Sequence, residues 1–242
     1  MKKHKRSIVV FIVVIFIFAI QSIASKLGGV IAGLFDYHSI DKDNAFLWIT
    51  IHHLVQMIIA LLLIAVIHKK SGIRFFLRPK ISKTGIKYTI IFSIAILGYV
   101  LISYTIGYKM NTIQAYPYEL NVSNILGTLG FQLLLSGTSE EILFRAFPIA
   151  VLGYVFHKHE YKNCALEIIF SALLFAIAHI SWSISPFTIS FSWFQLIYAF
   201  VLGLIYGITY VKSKSIIYPI IMHGLSNFSM VGIGYIFTIV IG

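Results

Sequence analysis

Charge is scarce in this 242-residue chain. Asp, Glu, Lys and Arg make up 11% of it, where an average soluble domain carries roughly 25%. Acids are the scarcer sign, eight against nineteen Lys and Arg, and 59% of the residues are hydrophobic. This balance excludes an ordinary water-soluble globule and implies a polytopic membrane protein. Cysteine is almost absent. One residue, Cys164, excludes an internal disulfide framework and any multi-cysteine metal site. At a membrane edge it reads as a small apolar residue. No internal repeat or low-complexity linker appears, so residues 1–242 read as one transmembrane domain. The HExxH helix of zinc proteases and the GxSxG elbow of serine hydrolases are both missing.

Apolar stretches of about 20 residues mark membrane crossings. They predict seven helices, near 8–32, 46–67, 86–107, 124–156, 164–181, 189–211 and 216–241. The expected fold is all-α: a polytopic transmembrane helical bundle of about seven helices, with a catalytic cavity within the membrane. The fourth helix is too long for a straight crossing, so it is expected to tilt, project beyond the bilayer or bend near Gly137. The seventh is expected to start inside the membrane near Pro219, a residue suited to a first helical turn.

Fifteen of the nineteen basic residues fall on one side of this arrangement. They are Lys2, Lys3, Lys5 and Arg6, then the run from Lys69 to Lys87, then Lys158, Lys162, Lys212 and Lys214. The other side has Lys26, Lys42 and Lys109 with Asp36, Asp41, Asp43 and Glu119. Lys and Arg concentrate in cytoplasmic loops, so the N-terminus is expected in the cytoplasm and the C-terminus outside. Phe75, Phe76 and Ile81 among the cations suggest a loop resting on anionic headgroups rather than one binding nucleic acid. The Lys-rich start and Ser22-Ile23-Ala24 resemble a cleaved signal peptide. The apolar run continues to Leu34, which favours an uncleaved anchor. Gly29 with Gly33, and Gly203 with Gly207, suit close helix packing.

Three polar constellations interrupt the apolar runs: Glu140, Glu141 and Arg145; Phe175 with His179; and His223 with Asn227. Ionisable groups at membrane depth are costly and usually functional. Glu141 and Arg145, four residues apart, share a helix face and can pair. A bidentate pair would tolerate low dielectric better than either ion alone. Glu140 is rotated about 100° from Glu141, free to face a cavity while its neighbour is braced. The competing reading makes all three a structural ion network. His179 could be an interfacial residue, and Asn227 a helix-to-helix hydrogen bond. His52 and His53 read as interfacial at an outer helix edge, and Glu167 as snorkelling or hydrogen-bonded. The aromatic residues around 182–198 fit an interfacial belt, and some could line a substrate entrance.

Together the three faces suggest hydrolysis. A carboxylate and a histidine can activate water against a carbonyl. A second histidine and an amide can stabilise the resulting oxyanion. Two histidines and a glutamate could also ligate zinc. A proton-relaying transporter is a third possibility, although no paired, interrupted halves are visible.

In this order the motifs resemble those of the CAAX protease and bacteriocin-processing family, also called the Abi family. They are Glu140-Glu141-x-x-x-Arg145, Phe175-x-x-x-His179 and His223-x-x-x-Asn227. The resemblance runs through Gly203-Leu204-Ile205-Tyr206-Gly207 and Ser215 to His223, covering roughly residues 120–235. It implies an intramembrane glutamate protease that needs no metal or other cofactor. On that pattern Glu140 activates water with help from His179, His223 and Asn227 form the oxyanion site, and Glu141, Arg145 and Phe175 support the geometry. Ala146 and Ala176 stand where many members have glycine, and both keep a small residue. The implied substrate is a membrane-associated peptide or protein tail. The short, basic, Ile- and Lys-rich chain suggests a bacterial cell membrane and a role in peptide maturation or bacteriocin self-immunity. A non-enzymatic immunity or partner-binding protein retaining the motifs as structure is the alternative.

Overall fold

The computed structural model describes residues 3–157 and 164–241. Lys2, Lys158 and Lys162, counted in the charge asymmetry, lie outside them. Helices α1 (Lys3–Ala32), α2 (Leu47–Ser71) and α3 (Lys83–Lys109) come first. A fourth rod follows, built from α4 (Val122–Gly130), α5 (Gly137–Glu141) and α6 (Phe147–His157). Then come α7 (Ala165–Ile177), strands β1 (Ser181–Ile184) and β2 (Phe187–Ser190), α8 (Trp193–Ser213) and α9 (Ile217–Ile241). Five of these are long and apolar enough to cross a membrane: α1, α2, α3, α8 and α9. Large apolar side chains such as Phe11, Phe16, Ile94 and Ile102 stand exposed on α1 and α3, as lipid-facing residues must. The chain is a multi-pass membrane protein with a helical-bundle fold.

Local sequence sets the helix ends. Ser82, Asn121 and Ser192 cap α3, α4 and α8, accepting from the backbone N–H groups of Gly85, Asn124 and Gln195. Each satisfies a donor that a helix start would otherwise leave unpaired. Gly72 closes α2 in the left-handed region at φ 70° and returns its N–H to His68 O.

At Gly137, where a bend was one of three expected alternatives, the backbone angles are helical, φ −60° and ψ −38°. The rod contains two π-helical stretches, Phe131–Ser136 and Ile142–Ala146, on either side of α5. Such widened turns occur preferentially at functional sites. The rod is also the core of the bundle: Leu143, Ala146, Ile149, Ala150 and Leu152 are completely buried. It packs against α2, α7 and α9, while α1 pairs with α2, α3 with α9 and α7 with α8.

Close approach depends on small residues. A Cβ on Gly137 would lie 2.9 Å from Gly224 N, and one on Gly224 would lie 2.6 Å from Leu133 O. This backbone-to-backbone contact seats α9 on α5. Gly203 and Gly207 let α8 approach Ala172 and Ile168 of α7, as expected. The tight α1–α2 contact falls at Gly28, which faces His52 O, and not at the Gly29–Gly33 pair.

The fifth expected helix, 164–181, is shorter: α7 stops at Ile177. The segment Ser181–Ser190 forms an antiparallel hairpin with Trp182 opposite Ile189 and Ile184 opposite Phe187. Its sequence alternates hydroxyl and apolar residues, Ser-Trp-Ser-Ile and Phe-Thr-Ile-Ser. That period of two suits a strand, and the hydrophobic average hides it. The basic loop is tied to the helical bundle. Phe75 is buried; Tyr210 Oη donates to Phe75 O, Ile216 N to Phe76 O and Tyr218 Oη to Lys80 O. Ile81 stays exposed.

Candidate active site

Glu140 and Glu141 occupy α5, between the two π-helical stretches, and face in different directions as their adjacent positions require. Glu141 is fully buried. Its Oε1 lies 2.7 Å from His223 Nδ1 and its Oε2 lies 3.2 Å from Arg145 Nε. Glu140 keeps 19% of its side-chain surface exposed and lines a cavity of about 970 Å³. One carboxylate is braced and its neighbour opens onto space.

The brace differs in detail from a bidentate pair. Arg145 is fully buried and meets Glu141 through Nε alone. Its guanidinium instead lies over aromatic faces, with Cζ 4.1 Å from the Phe175 ring centre and 5.5 Å from that of Tyr206. Arginine suits this role, because its flat, weakly hydrated cation stacks where an ammonium would not.

His223 ties the two glutamates together. Its Nδ1 engages Glu141 and its Nε2 lies 3.6 Å from Glu140 Oε2. The ring stacks on Tyr206 at 5.2 Å and meets Phe175 edge-on at 5.9 Å. The position follows from the Gly137–Gly224 contact, since Gly224 is the next residue along α9. Asn227, one turn further, donates from Nδ2 to Ser136 Oγ at 3.0 Å. Neither His223 nor Asn227 lines the cavity.

His179 sits just past the end of α7, in a turn where its N–H donates to Ala176 O. Its Nδ1 lies 2.8 Å from Phe175 O, and its ring stands edge-on to the Phe175 ring at 4.8 Å. The i, i+4 relation to Phe175 survives although the helix has ended. His179, Phe175 and Glu140 all line the cavity. Phe175 therefore touches a residue of each constellation: Arg145, His179 and His223.

One residue at the site was read differently from sequence. His53 of α2 is buried, not interfacial. Its Nδ1 lies 2.8 Å from Ser139 Oγ and its Nε2 lies 3.8 Å from Glu140 Oε1. The Phe131 ring stands edge-on to it at 5.1 Å. The available signal was a His53–Gln56 pair inside an apolar helix. His52 stacks on Trp48 and pairs with Gln56. Glu167 is completely buried and meets His157 Nε2 at 3.0 Å, so it is paired rather than snorkelling.

Further lining comes from α1, including Gln21 and Lys26, from α2 and from the hairpin. Gln21 donates to Leu143 O, and Lys26 Nζ lies 4.3 Å from the Trp182 ring centre. Among the described residues, no three His, Cys, Asp or Glu side chains converge as a metal-ligand group.

The site thus combines a carboxylate that opens onto a cavity with a buried Glu–Arg–His cluster that braces its neighbour. Residues 122–229 match the family described as Type II CAAX prenyl endopeptidase Rce1-like. That segment, just under half of the chain, is similar to this family and contains all three polar constellations. The match supports peptidase activity as the class of function. No curated protein and no solved structure matches the chain.

Proposed function

We propose that the chain is an intramembrane endopeptidase of glutamate type. Its substrate is a membrane-associated peptide or protein tail in a bacterial cell membrane, and the N-terminus is cytoplasmic. The observation that carries this reading is the split between Glu140 and Glu141. Glu141 is locked between His223 and Arg145, while Glu140 faces the cavity with His179 on the same lining. Glu140 takes a proton from water as the water oxygen attacks the scissile carbonyl, and His179 helps orient that water. The supports around Glu141 hold the base without moving during the reaction.

His223 and Asn227 complete the reading as oxyanion donors. This role requires the Asn227 amide to exchange Ser136 Oγ for the substrate oxygen, and His223 to turn a ring N–H from its glutamate partners to the same oxygen, since both are engaged elsewhere in this arrangement and neither lines the cavity. The cationic loop between α2 and α3, with Arg74, Arg78 and Lys80 beside an apolar trough on α2, suits a bilayer rich in anionic headgroups. Peptide maturation or bacteriocin self-immunity is the biological setting this chemistry fits.

The test is cleavage of an internally quenched peptide library by detergent-purified protein. Wild type, Glu140→Ala and His179→Ala are compared, each with and without a chelator. Chelator-insensitive cleavage lost in both variants is the expected result. Chelator-sensitive cleavage would move the assignment to a metal-dependent peptidase. Full biological activity in folded Glu140→Ala would favour a non-enzymatic immunity protein.

A further inference from the structure

Glu140 stands between two imidazoles that come from opposite sides. His223 of α9 faces Oε2 and His53 of α2 faces Oε1. His53 lies outside the matched residues 122–229, so the family match assigns it no role. It is buried, it lines the cavity with Glu140, and its ring is held in one orientation.

The hydrogen-bond partners fix which nitrogen of His53 carries the proton. Ser139 Oγ has one proton and donates it to Ser136 O at 3.0 Å. A carbonyl oxygen can only accept. Ser139 Oγ therefore accepts from His53 Nδ1–H at 2.8 Å. The neutral ring then presents a bare Nε2 to Glu140 Oε1 and the cavity. The corresponding argument for His223 gives a different outcome. Its Nδ1–H is held by the buried, arginine-paired Glu141, and its Nε2 lies outside the cavity lining. Of the two imidazoles beside Glu140, His53 alone is placed to exchange a proton with both Glu140 and a bound peptide.

We propose that His53 is the general acid of the reaction, carrying the proton that Glu140 removes from water to the leaving amine. This rests on the peptidase reading above. The step balances without a co-reactant. Water oxygen bonds to the scissile carbon, and its proton passes to Glu140 and then to His53 Nε2. The C–N bond breaks, and the departing nitrogen takes the proton from Nε2–H. The products are a carboxylic acid and an amine, and both residues return to their starting states. Ser139 holds the ring throughout and is a positioning residue.

A general acid matters in proportion to how poor the leaving group is. An amine must be protonated to depart, whereas a thiol with a pKa near about 8.5 leaves as thiolate. The experiment uses the best-cleaved member of an internally quenched peptide library and the same sequence with a thioester at the scissile bond. Wild type, His53→Gln, Ser139→Ala and Glu140→Gln are compared in detergent. For His53→Gln, kcat on the amide should fall about 10²–10⁴-fold, with thioester hydrolysis kept within a few-fold. Retained thioester turnover also shows that the variant is folded. Ser139→Ala should show the same selectivity to a smaller degree. Glu140→Gln should lose both substrates, because water must be activated in either case.

Equal loss of amide and thioester in both His53→Gln and Ser139→Ala would make His53 structural and overturn the proposal. Unchanged amide cleavage in His53→Gln, with Glu140→Gln dead, would overturn it while leaving the peptidase reading intact. Undiminished cleavage by Glu140→Gln, or no cleavage of any library member by wild type, would overturn the peptidase reading and this proposal with it.

Discussion

The Arg145 guanidinium carbon lies 4.1 Å above the centre of the Phe175 ring, in a part of the bundle where Arg145 is completely buried. This stacking joins the first constellation to the second. It also explains how an arginine meeting its carboxylate through one nitrogen is tolerated. The aromatic faces of Phe175 and Tyr206 supply a negative surface where hydrogen-bond acceptors are short.

Arg145→Met should therefore destabilise the protein by about 3–5 kcal/mol, because it strands Glu141 as an uncompensated buried charge. Arg145→Lys keeps the charge but loses the flat stack, and should cost less, about 2 kcal/mol. Thermal unfolding in a fixed detergent would rank the two. A Lys variant as unstable as Met would assign the stabilisation to stacking geometry rather than to charge.

Glu140→Gln should leave stability close to wild type and lower turnover about 10²–10⁴-fold. Its side chain is part-exposed and makes only longer-range contacts to His53 and His223, at 3.8 and 3.6 Å. Glu141→Gln should do the reverse first, loosening the fold before any specific effect on chemistry. Paired melting and cleavage assays on the two neighbouring variants separate catalyst from brace.

Gly224→Ala places a methyl 2.6 Å from Leu133 O, a backbone atom that cannot step aside alone. Helix α9 must shift, which should cost about 1–3 kcal/mol. Because His223 is the preceding residue, the same shift should lengthen its contact with Glu141 and reduce kcat. Activity that survived intact beside a lowered melting temperature would show that the His223–Glu141 bond tolerates movement.

Trp182 of β1 lines the cavity, with Lys26 of α1 over its ring and bonded to its carbonyl. Trp182→Ala should raise KM with kcat little changed, the signature of lost uniform binding. A fall in kcat alone would place the hairpin in the chemical step instead of in substrate capture.

Most helices of the bundle and the spacing of the constellations were legible along the chain. Four-residue intervals put Glu141 beside Arg145 and His223 near Asn227 wherever the helices lie, whereas Phe175 meets His179 through a turn just past the end of α7. The hairpin was less legible. Its apolar content resembles a membrane segment, and only the hydroxyl–apolar alternation from Ser181 to Ser190 distinguishes a strand. Gly130 and Gly137 border the first π-helical stretch and Pro148 follows the second, but such residues do not distinguish a π turn from a bend.

His53 marks the boundary most clearly. Six residues from the start of α2, it reads in sequence as a histidine at a helix edge, because nothing local says what that edge meets. Composition and helical period alone determined that this is a membrane protein, where its long apolar helices run, and that Glu140 and Glu141 face apart. Tertiary structure decided which imidazoles reach Glu140, that Asn227 bonds Ser136, and that α1 and the hairpin wall the cavity. The physical reason is range. Spacing along a helix is fixed by its 3.6-residue turn, whereas contact between helices depends on where glycines such as Gly137 and Gly224 let two backbones touch.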